Sequence, residues 1–111
     1  MRLPAAVLAC ALASCAYVEP TTVQYVGVPR FSPQDPAQVQ VLRAEPAQRH
    51  HRLGEVLLDI SIEPAPPVAE IEQKLREEAA KMGAQAIYIV RDVARPHEDR
   101  KMIGIAIRYQ Q

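Results

Sequence analysis

Residues 68–82 are the one stretch of this sequence whose apolar side chains recur at helical spacing. Successive apolar positions lie three or four residues apart, which places them on one face of an α-helix. These positions are Val68, Ile71, Leu75, Ala79 and Met82. Pro67 precedes the stretch and Gly83 follows it, as is typical of a helix start and a helix stop. Because one helix can cover only one face of a sheet, this segment constrains the whole fold.

Strand-like patterns flank the helix on both sides. Residues 53–62 and 102–109 alternate in the manner of half-buried strands, and residues 86–90 are nearly continuously apolar, which is typical of a central strand. A short patch at residues 39–42 adds an edge strand, and 111 residues allow one small domain. We predict an α+β fold, a small mixed β-sheet in β-β-α-β-β order with one amphipathic helix packed on one face. The crossover favours parallel pairing of the two strands beside the helix.

The apolar faces of these strands predict which side the helix covers. We expect it to pack on the all-apolar set of Val56, Leu58, Ile60, Ile62, Ile103, Ile105 and Ile107. The reverse face would then present Leu57, Tyr88, Val90, Met102 and Ala106. Contiguous apolar surface on a small domain marks an interaction site, so these five residues are the predicted surface for a protein partner or for a second copy in a homodimer. In the alternative, residues 23–28 fold back and cover this face.

The amino terminus carries an export signal. Arg2 precedes an apolar run that is too short for the roughly 20 residues of a membrane-spanning helix. The sequence Leu-Ala-Ser-Cys that ends at Cys15 resembles the lipobox of bacterial lipoproteins. The resemblance implies that residues 1–14 are a signal peptide, that Cys15 is lipidated, and, because Ala16 follows it, that the protein is anchored in the outer membrane facing the periplasm. The alternative is ordinary signal cleavage after Ala13, which would leave an unpaired exported thiol.

Prolines predict an extended segment between the anchor and the domain. They are Pro20, Pro29, Pro33, Pro36 and Pro46. Because proline fixes φ and lacks a backbone donor, we expect residues 15–37 to be an extended tether and residues 38–111 to be the domain. The roughly 20 residues from Cys15 to Asp35 reach at most about 70 Å, so the domain works close to its membrane.

The helix end resembles a pattern shared by several small bacterial families. Residues 75–87 read Leu-Arg-Glu-Glu-Ala-Ala-Lys-Met-Gly-Ala-Gln-Ala-Ile. This stretch is similar to one in the Rcs-pathway stress-sensing outer-membrane lipoprotein and in the YbjQ-like domains, with Gln85 at a position where those families carry Asp or Asn. The resemblance implies a shared small α+β fold. It also implies an alternative function, that of an envelope stress sensor or a small-ligand-binding module.

The residues give no support to catalysis, cofactor binding or nucleic-acid binding. The formal net charge is zero, and the four glycines are isolated, so neither a basic footprint nor a phosphate loop is present in the sequence. His50 and His51 are adjacent and point to opposite sides of an extended segment, and His97 adds no known ligand spacing. We therefore predict a non-enzymatic lipoprotein with no catalytic residue, no metal site and no cofactor.

Overall fold

The computed structural model of the chain describes residues 18–60, 66–94 and 100–111. The elements in chain order are β1 (Glu19–Gln24), a 3-10 turn (Pro36–Gln38), β2 (Gln40–Leu42), β3 (His50–Asp59), α1 (Val68–Lys81), β4 (Ala86–Ala94) and β5 (Arg100–Tyr109). The five strands form one mixed sheet in the order β1-β3-β5-β4-β2. The α+β fold with a helix on a small mixed sheet is confirmed. The predicted β-β-α-β-β order is wrong, because three strands precede the helix.

The first strand lies where the sequence predicted a tether. β1 pairs antiparallel with β3, from Glu19 opposite Asp59 to Gln24 opposite Gly54. Its proline is tolerated because β1 is an edge strand. The chain then crosses the end of α1, where the Gln34 amide donates to the Ala80 carbonyl at 2.8 Å. The tether interpretation is therefore wrong for residues 19–37, which belong to the domain, while residues 1–17 lie outside the described residues.

The central strand of the sheet is β5 and not β4. β5 pairs antiparallel with β3 on one side and with β4 on the other. Consequently β3 and β4 run parallel but are not neighbours, and the predicted direct pairing of these two strands is wrong. A short connection between β4 and β5 favours the antiparallel pair, because little chain entropy is lost in closing it. β2 pairs parallel with β4, and Gln40–Leu42 of β2 lie alongside residues 86–88 of β4.

The helix packs on the face formed by alternate residues of the long strands. The largest fully buried side chains include Leu58 of β3, Ile60 directly after β3, Ile71 and Leu75 of α1, and Ile87 of β4. This confirms the predicted core side of β3 and the predicted helix face from Ile71 onward, whereas Val68, at the first turn of α1, is wrong as a core residue because it is 58% exposed. Ile62 lies outside the described residues. No helix in residues 18–60, 66–94 and 100–111 has the length and apolar content needed to cross a bilayer.

The side of β5 that faces the helix differs from the prediction. Met102, Gly104 and Ala106 are buried beneath α1, since they pair with Leu58, Val56 and Gly54 of the helix-facing side of β3. The expectation that Met102 and Ala106 lie on the reverse face is therefore wrong. The packing around Gly104 gives a physical reason. A Cβ atom there would lie 2.8 Å from Ile87 Cδ1 and at an ordinary contact distance of 3.6 Å from Leu75 Cδ2, so the Ile87 side chain of β4 fills the space that glycine leaves on this side of β5.

Helix α1 ends as the sequence predicts. Gly83 has φ of +78°, a left-handed conformation that favours glycine, and the Ala84 amide donates back to the Ala79 carbonyl at 3.1 Å. The Gly83 carbonyl accepts hydrogen bonds from Arg108 Nη1 at 3.0 Å and from Gln34 Nε2 at 3.3 Å. The helix end is thus fixed to the last strand and to the segment that follows β1.

Candidate functional site

The sheet face opposite α1 carries the candidate site, and we call it the open face. Pairing places alternate residues of each long strand on it. These residues include Val23 of β1, Glu55, Leu57 and Asp59 of β3, Lys101, Ile103, Ile105 and Ile107 of β5, and Tyr88 and Arg91 of β4. The open face has two regions, an exposed apolar one toward the start of β1 and a covered one beside β2.

The exposed region is an apolar patch made of Val23, Leu57, Ile103 and Ile105. Leu57 lies directly opposite Ile103 in the β3–β5 ladder, which brings the centre of the patch together. Val23 keeps 53% of its surface exposed, whereas Leu57, Ile103 and Ile105 are half-buried. The charged residue Glu55 lies between Val23 and Ile105 in the strand ladders. The alternative in which residues 23–28 fold over this face is wrong for Val23 and Gln24, because both extend the sheet as its edge strand. The patch is apolar surface that the described chain leaves accessible.

Charged residues border the apolar patch with opposite signs on its two sides. On the β1 and β3 side, Glu19 lies opposite Asp59. On the β5 and β4 side, Lys101 lies opposite Asp59 and Arg91 lies opposite Ile103. At the end of the patch nearest Glu19, the acidic residues Glu19 and Asp59 thus lie directly beside the basic residue Lys101. A partner that places a basic group opposite Asp59 and an acidic group opposite Lys101 would match this end of the patch.

The covered region lies under the connection between β2 and β3, residues 43–49. Its anchor is the Glu45 carboxylate, which accepts hydrogen bonds from Arg52 Nη2 at 2.7 Å and Nε at 3.2 Å and lies 2.9 Å from His50 Nε2. These hydrogen bonds, that from Arg52 first and that with His50 second, hold the pKa of the Glu45 carboxyl below its ordinary value. His50 Nδ1 is also 2.6 Å from the Gln48 carbonyl. Glu45, His50 and Arg52 together form what we call the Glu45 cluster, which fastens the connection to the sheet.

A small second core lies beneath the Glu45 cluster. Tyr88 is 3% exposed and packs there with Ala86 and Ile107, and the His50 ring meets the Tyr88 ring edge to face with centroids 6.4 Å apart. Burial raises the pKa of the Tyr88 hydroxyl above its ordinary value. The covered region is therefore structural in character.

An open groove runs along the edge of the Glu45 cluster. Tyr25, Glu45, His50 and Arg52 contribute to its lining. Each of these polar side chains already bonds within the chain, since Tyr25 donates to Glu55 at 3.1 Å and the other three bond one another. Burial, with the Glu55 hydrogen bond second, raises the pKa of Tyr25. These groups hold the fold in place.

The five predicted surface residues are divided among four places. Leu57 lies on the open face, as predicted, and belongs to the apolar patch. Tyr88 is on the open face but buried under the Glu45 cluster, and Val90 is 50% exposed at a β-bulge between Ile89 and Arg91. Met102 and Ala106 lie beneath the helix. The lipidation site Cys15 is outside the described residues.

Sequence reasoning missed Val23, Ile103 and Ile105 as members of the patch. Both sides of β5 are apolar, so alternation alone does not tell which one the helix covers. The discriminating signal is residue size, because Gly104 and Ala106 on one side of the strand permit close approach of another element. Val23 was missed because β1 pairs with residues more than 30 positions away in the chain.

The two adjacent histidines lie on opposite faces of β3, as predicted. His50 faces the Glu45 cluster, whereas the His51 ring lies 6.4 Å from the Phe31 ring on the helix side. Within the described residues no three His, Cys, Asp or Glu side chains are placed to share a metal ion, and His97 lies outside those residues.

Comparisons with known proteins identify a similar fold. No protein-family model matches this chain, and no curated protein sequence matches it. Among solved structures, the crystal structure of the Francisella virulence factor FvfA in the orthorhombic form superposes with a TM-score of 0.61, covering 80% of this chain and 96% of that chain at 18% sequence identity. At that identity the likeness establishes a common arrangement of strands and helix.

Proposed function

We propose that this chain is a non-enzymatic lipoprotein, acylated at Cys15 and anchored in the outer membrane, whose periplasmic domain associates through the apolar patch of its open face. The observation that carries the association is the patch itself, in which Val23 is exposed and Leu57, Ile103 and Ile105 are half-buried, on a domain whose helix covers the other face. Small soluble domains seldom keep such a surface unless it is used. The lipobox resemblance of residues 12–15 supports the anchor.

The partner that fits the border charges is a second copy of the chain. A two-fold axis parallel to the strands and between β3 and β5 sets Leu57 of one copy opposite Ile103 of the other. The same axis sets Asp59 of one copy opposite Lys101 of the other. Two-fold pairing uses one self-complementary surface, and sheets stack face to face with strands within about 30° of each other. Acidic and basic residues then meet on both sides of the axis, at one end of the apolar centre.

Changing Leu57 to aspartate tests this association. In intact cells, chemical crosslinking of the wild-type protein should give a dimer, and Leu57→Asp should abolish it, because two buried carboxylates would face an apolar surface across the axis. Gln73→Asp is the matched control, since it adds the same charge at an exposed position of α1 on the other side of the domain. The control should crosslink as the wild type does.

Two results would contradict the proposed association. One is a wild-type chain that crosslinks to neither itself nor another protein. The other is a Leu57→Asp chain that unfolds, which would make the patch part of the core. Crosslinking to a different protein that depends on Leu57 would keep the surface and replace the second copy as its partner.

Changing Cys15 to serine tests the anchor. We expect Cys15→Ser to move the protein from the membrane fraction to the soluble fraction, because stable anchoring takes more than one acyl chain and all of them would be attached through this residue. Cys10→Ser is the control; it lies before the proposed cleavage site and should leave the protein membrane-bound. Mass spectrometry of the wild-type chain should find an acylated Cys15 as the first residue. A chain that begins at Ser14 with a free thiol would refute lipidation.

A further inference from the structure

The position of β1 limits how far the domain can stand from its membrane, if Cys15 is acylated as proposed above. Three residues, Ala16, Tyr17 and Val18, separate Cys15 from Glu19, the first residue of the edge strand. Four residue steps span at most about 14 Å even when fully extended. Because β1 is paired with β3 along all six of its residues, the flexible length does not extend into the strand. The membrane surface therefore lies within a short distance of the start of β1.

The start of β1 marks one end of the whole sheet. Glu19 lies opposite Asp59, where β3 ends, and Asp59 lies opposite Lys101, near where β5 begins. Ala94, the last residue of β4, lies opposite Arg100 at the same end. We call this the anchor end. The Glu45 cluster and Gln110 are at the far end, and since β3 and β5 each have 10 residues, the two ends are about 30 Å apart.

We infer that the anchor end faces the phospholipid headgroups, so that the lipid surface is a contact surface of the domain and the Glu45 cluster projects away from it. The length of the connection carries this assignment, because it is about half the length of the sheet. Charge does not decide the orientation. Among the described strand residues at this end, Lys101, Arg91 and Arg100 are balanced by Glu19, Asp59 and Asp92, and Arg100 is paired with Asp92 at 3.1 Å. The contact should accordingly depend little on salt.

This orientation agrees with the proposed self-association. A two-fold axis parallel to the strands keeps the anchor ends of both copies on the same side, so both sets of acyl chains enter one membrane. A two-fold axis across the strands would direct one anchor away from the bilayer. Leu57 and Ile103 lie only two residues from the anchor end, about 7 Å along the strand, so any partner for the patch must itself be at the membrane surface.

The test measures the distance of each end from the bilayer. Full-length protein carrying Lys101→Cys or Gln110→Cys is purified from membranes, labelled with a fluorophore at the new thiol, and reconstituted into phosphatidylethanolamine and phosphatidylglycerol vesicles that contain a nitroxide-headgroup lipid. Cys15 does not react with the label when it is acylated. We expect strong quenching of the label at residue 101 and loss of quenching at residue 110. Raising the salt concentration should leave both values unchanged.

A longer connection provides the matched control. Insertion of about 20 Gly and Ser residues after Tyr17 adds a flexible segment with an average span of about 25 Å. Quenching at residue 101 should then fall toward the value at residue 110, while acylation remains.

The outcomes separate this inference from the proposed function. Mass spectrometry of the same samples reports acylation. An unacylated chain that does not stay with the vesicles would refute the proposed anchor. An acylated chain with equal quenching at both positions, or with stronger quenching at residue 110, would overturn the orientation and leave the anchor intact.

Discussion

Replacing Leu75 by alanine should lower the free energy of unfolding by about 2–5 kcal/mol, the range measured for deletion of a large buried side chain. Leu75 is 0% exposed, and it lies in the middle of α1, above the point where β5 carries glycine. The space left by Leu75→Ala cannot be filled easily, because the surrounding strands are held in one sheet by their ladders. Such a loss is a large fraction of the stability of a small domain.

Denaturant titration of the purified protein measures this effect. The matched control is Gln73→Ala, an exposed change on the same helix, which should alter the free energy of unfolding by less than about 0.5 kcal/mol. If Leu75→Ala lowers the free energy of unfolding by no more than Gln73→Ala does, α1 does not pack on the sheet through Leu75.

The helix could be predicted from the sequence because its signals are local. The spacing of Ile71, Leu75 and Ala79 defines the buried face, and Gly83 defines the end, so every determinant lies within one segment of the chain. The buried side of β3 followed from alternation for the same reason. The helix and the buried side of β3 could be predicted without knowing which other elements they contact.

The arrangement of the strands could not be predicted in the same way. Pro20 and two threonines make β1 resemble an extended linker, and only its pairing with the distant β3 makes it a strand. The insertion of β5 between β3 and β4 is likewise a choice between two pairings that the sequence permits equally. For this reason residues 19–24 belong to the sheet and not to the predicted tether. Only Ala16, Tyr17 and Val18 then connect Cys15 to the first strand.

The prediction of the candidate site depended on which of the two sides of β5 faces the helix. The sequence analysis expected the isoleucines of β5 to face the helix, and it therefore expected Met102 and Ala106 on the reverse face. The side of β5 with Gly104 instead faces the helix, because glycine there leaves room for the buried Ile87 side chain, and this puts Ile103 and Ile105 on the open face near Leu57. Two isoleucines of β5 therefore remain half-buried on the open face, where the sequence analysis expected Met102 and Ala106.

Replacing Gly54 by alanine should detach β1 from the sheet. A Cβ atom at Gly54 would lie 2.4 Å from the Val23 carbonyl oxygen, 2.8 Å from Met82 Sδ and 3.0 Å from Gln24 Cα. The Met82 side chain can rotate away, but the other two are backbone atoms of β1, so the strand itself must move. We expect a cost of about 1–3 kcal/mol, typical of overpacking. Amide hydrogen exchange should show lost protection in residues 19–24, with protection kept in α1.

Gly104→Ala is the matched control for the detachment of β1. Its new Cβ atom would meet Ile87 side-chain atoms at 2.8 Å, which lie in the core and not in β1. This variant should lose stability without a selective loss of protection in residues 19–24. If Gly54→Ala leaves exchange in β1 unchanged, the edge strand is held more loosely than its pairing indicates.

Detachment of β1 also has a consequence for the proposed orientation at the membrane. Once residues 19–24 leave the sheet, the flexible chain from Cys15 runs as far as Tyr25, whose amide donates to the Leu53 carbonyl, and its maximum reach rises from about 14 Å to about 35 Å. In the reconstituted protein, quenching of a label at residue 101 should then decrease in Gly54→Ala and persist in Gly104→Ala. Equal decreases in the two variants would mean that general destabilisation, and not the pairing of β1, moves the domain away from the bilayer. The edge strand thus stabilises the sheet and also holds the domain at the membrane.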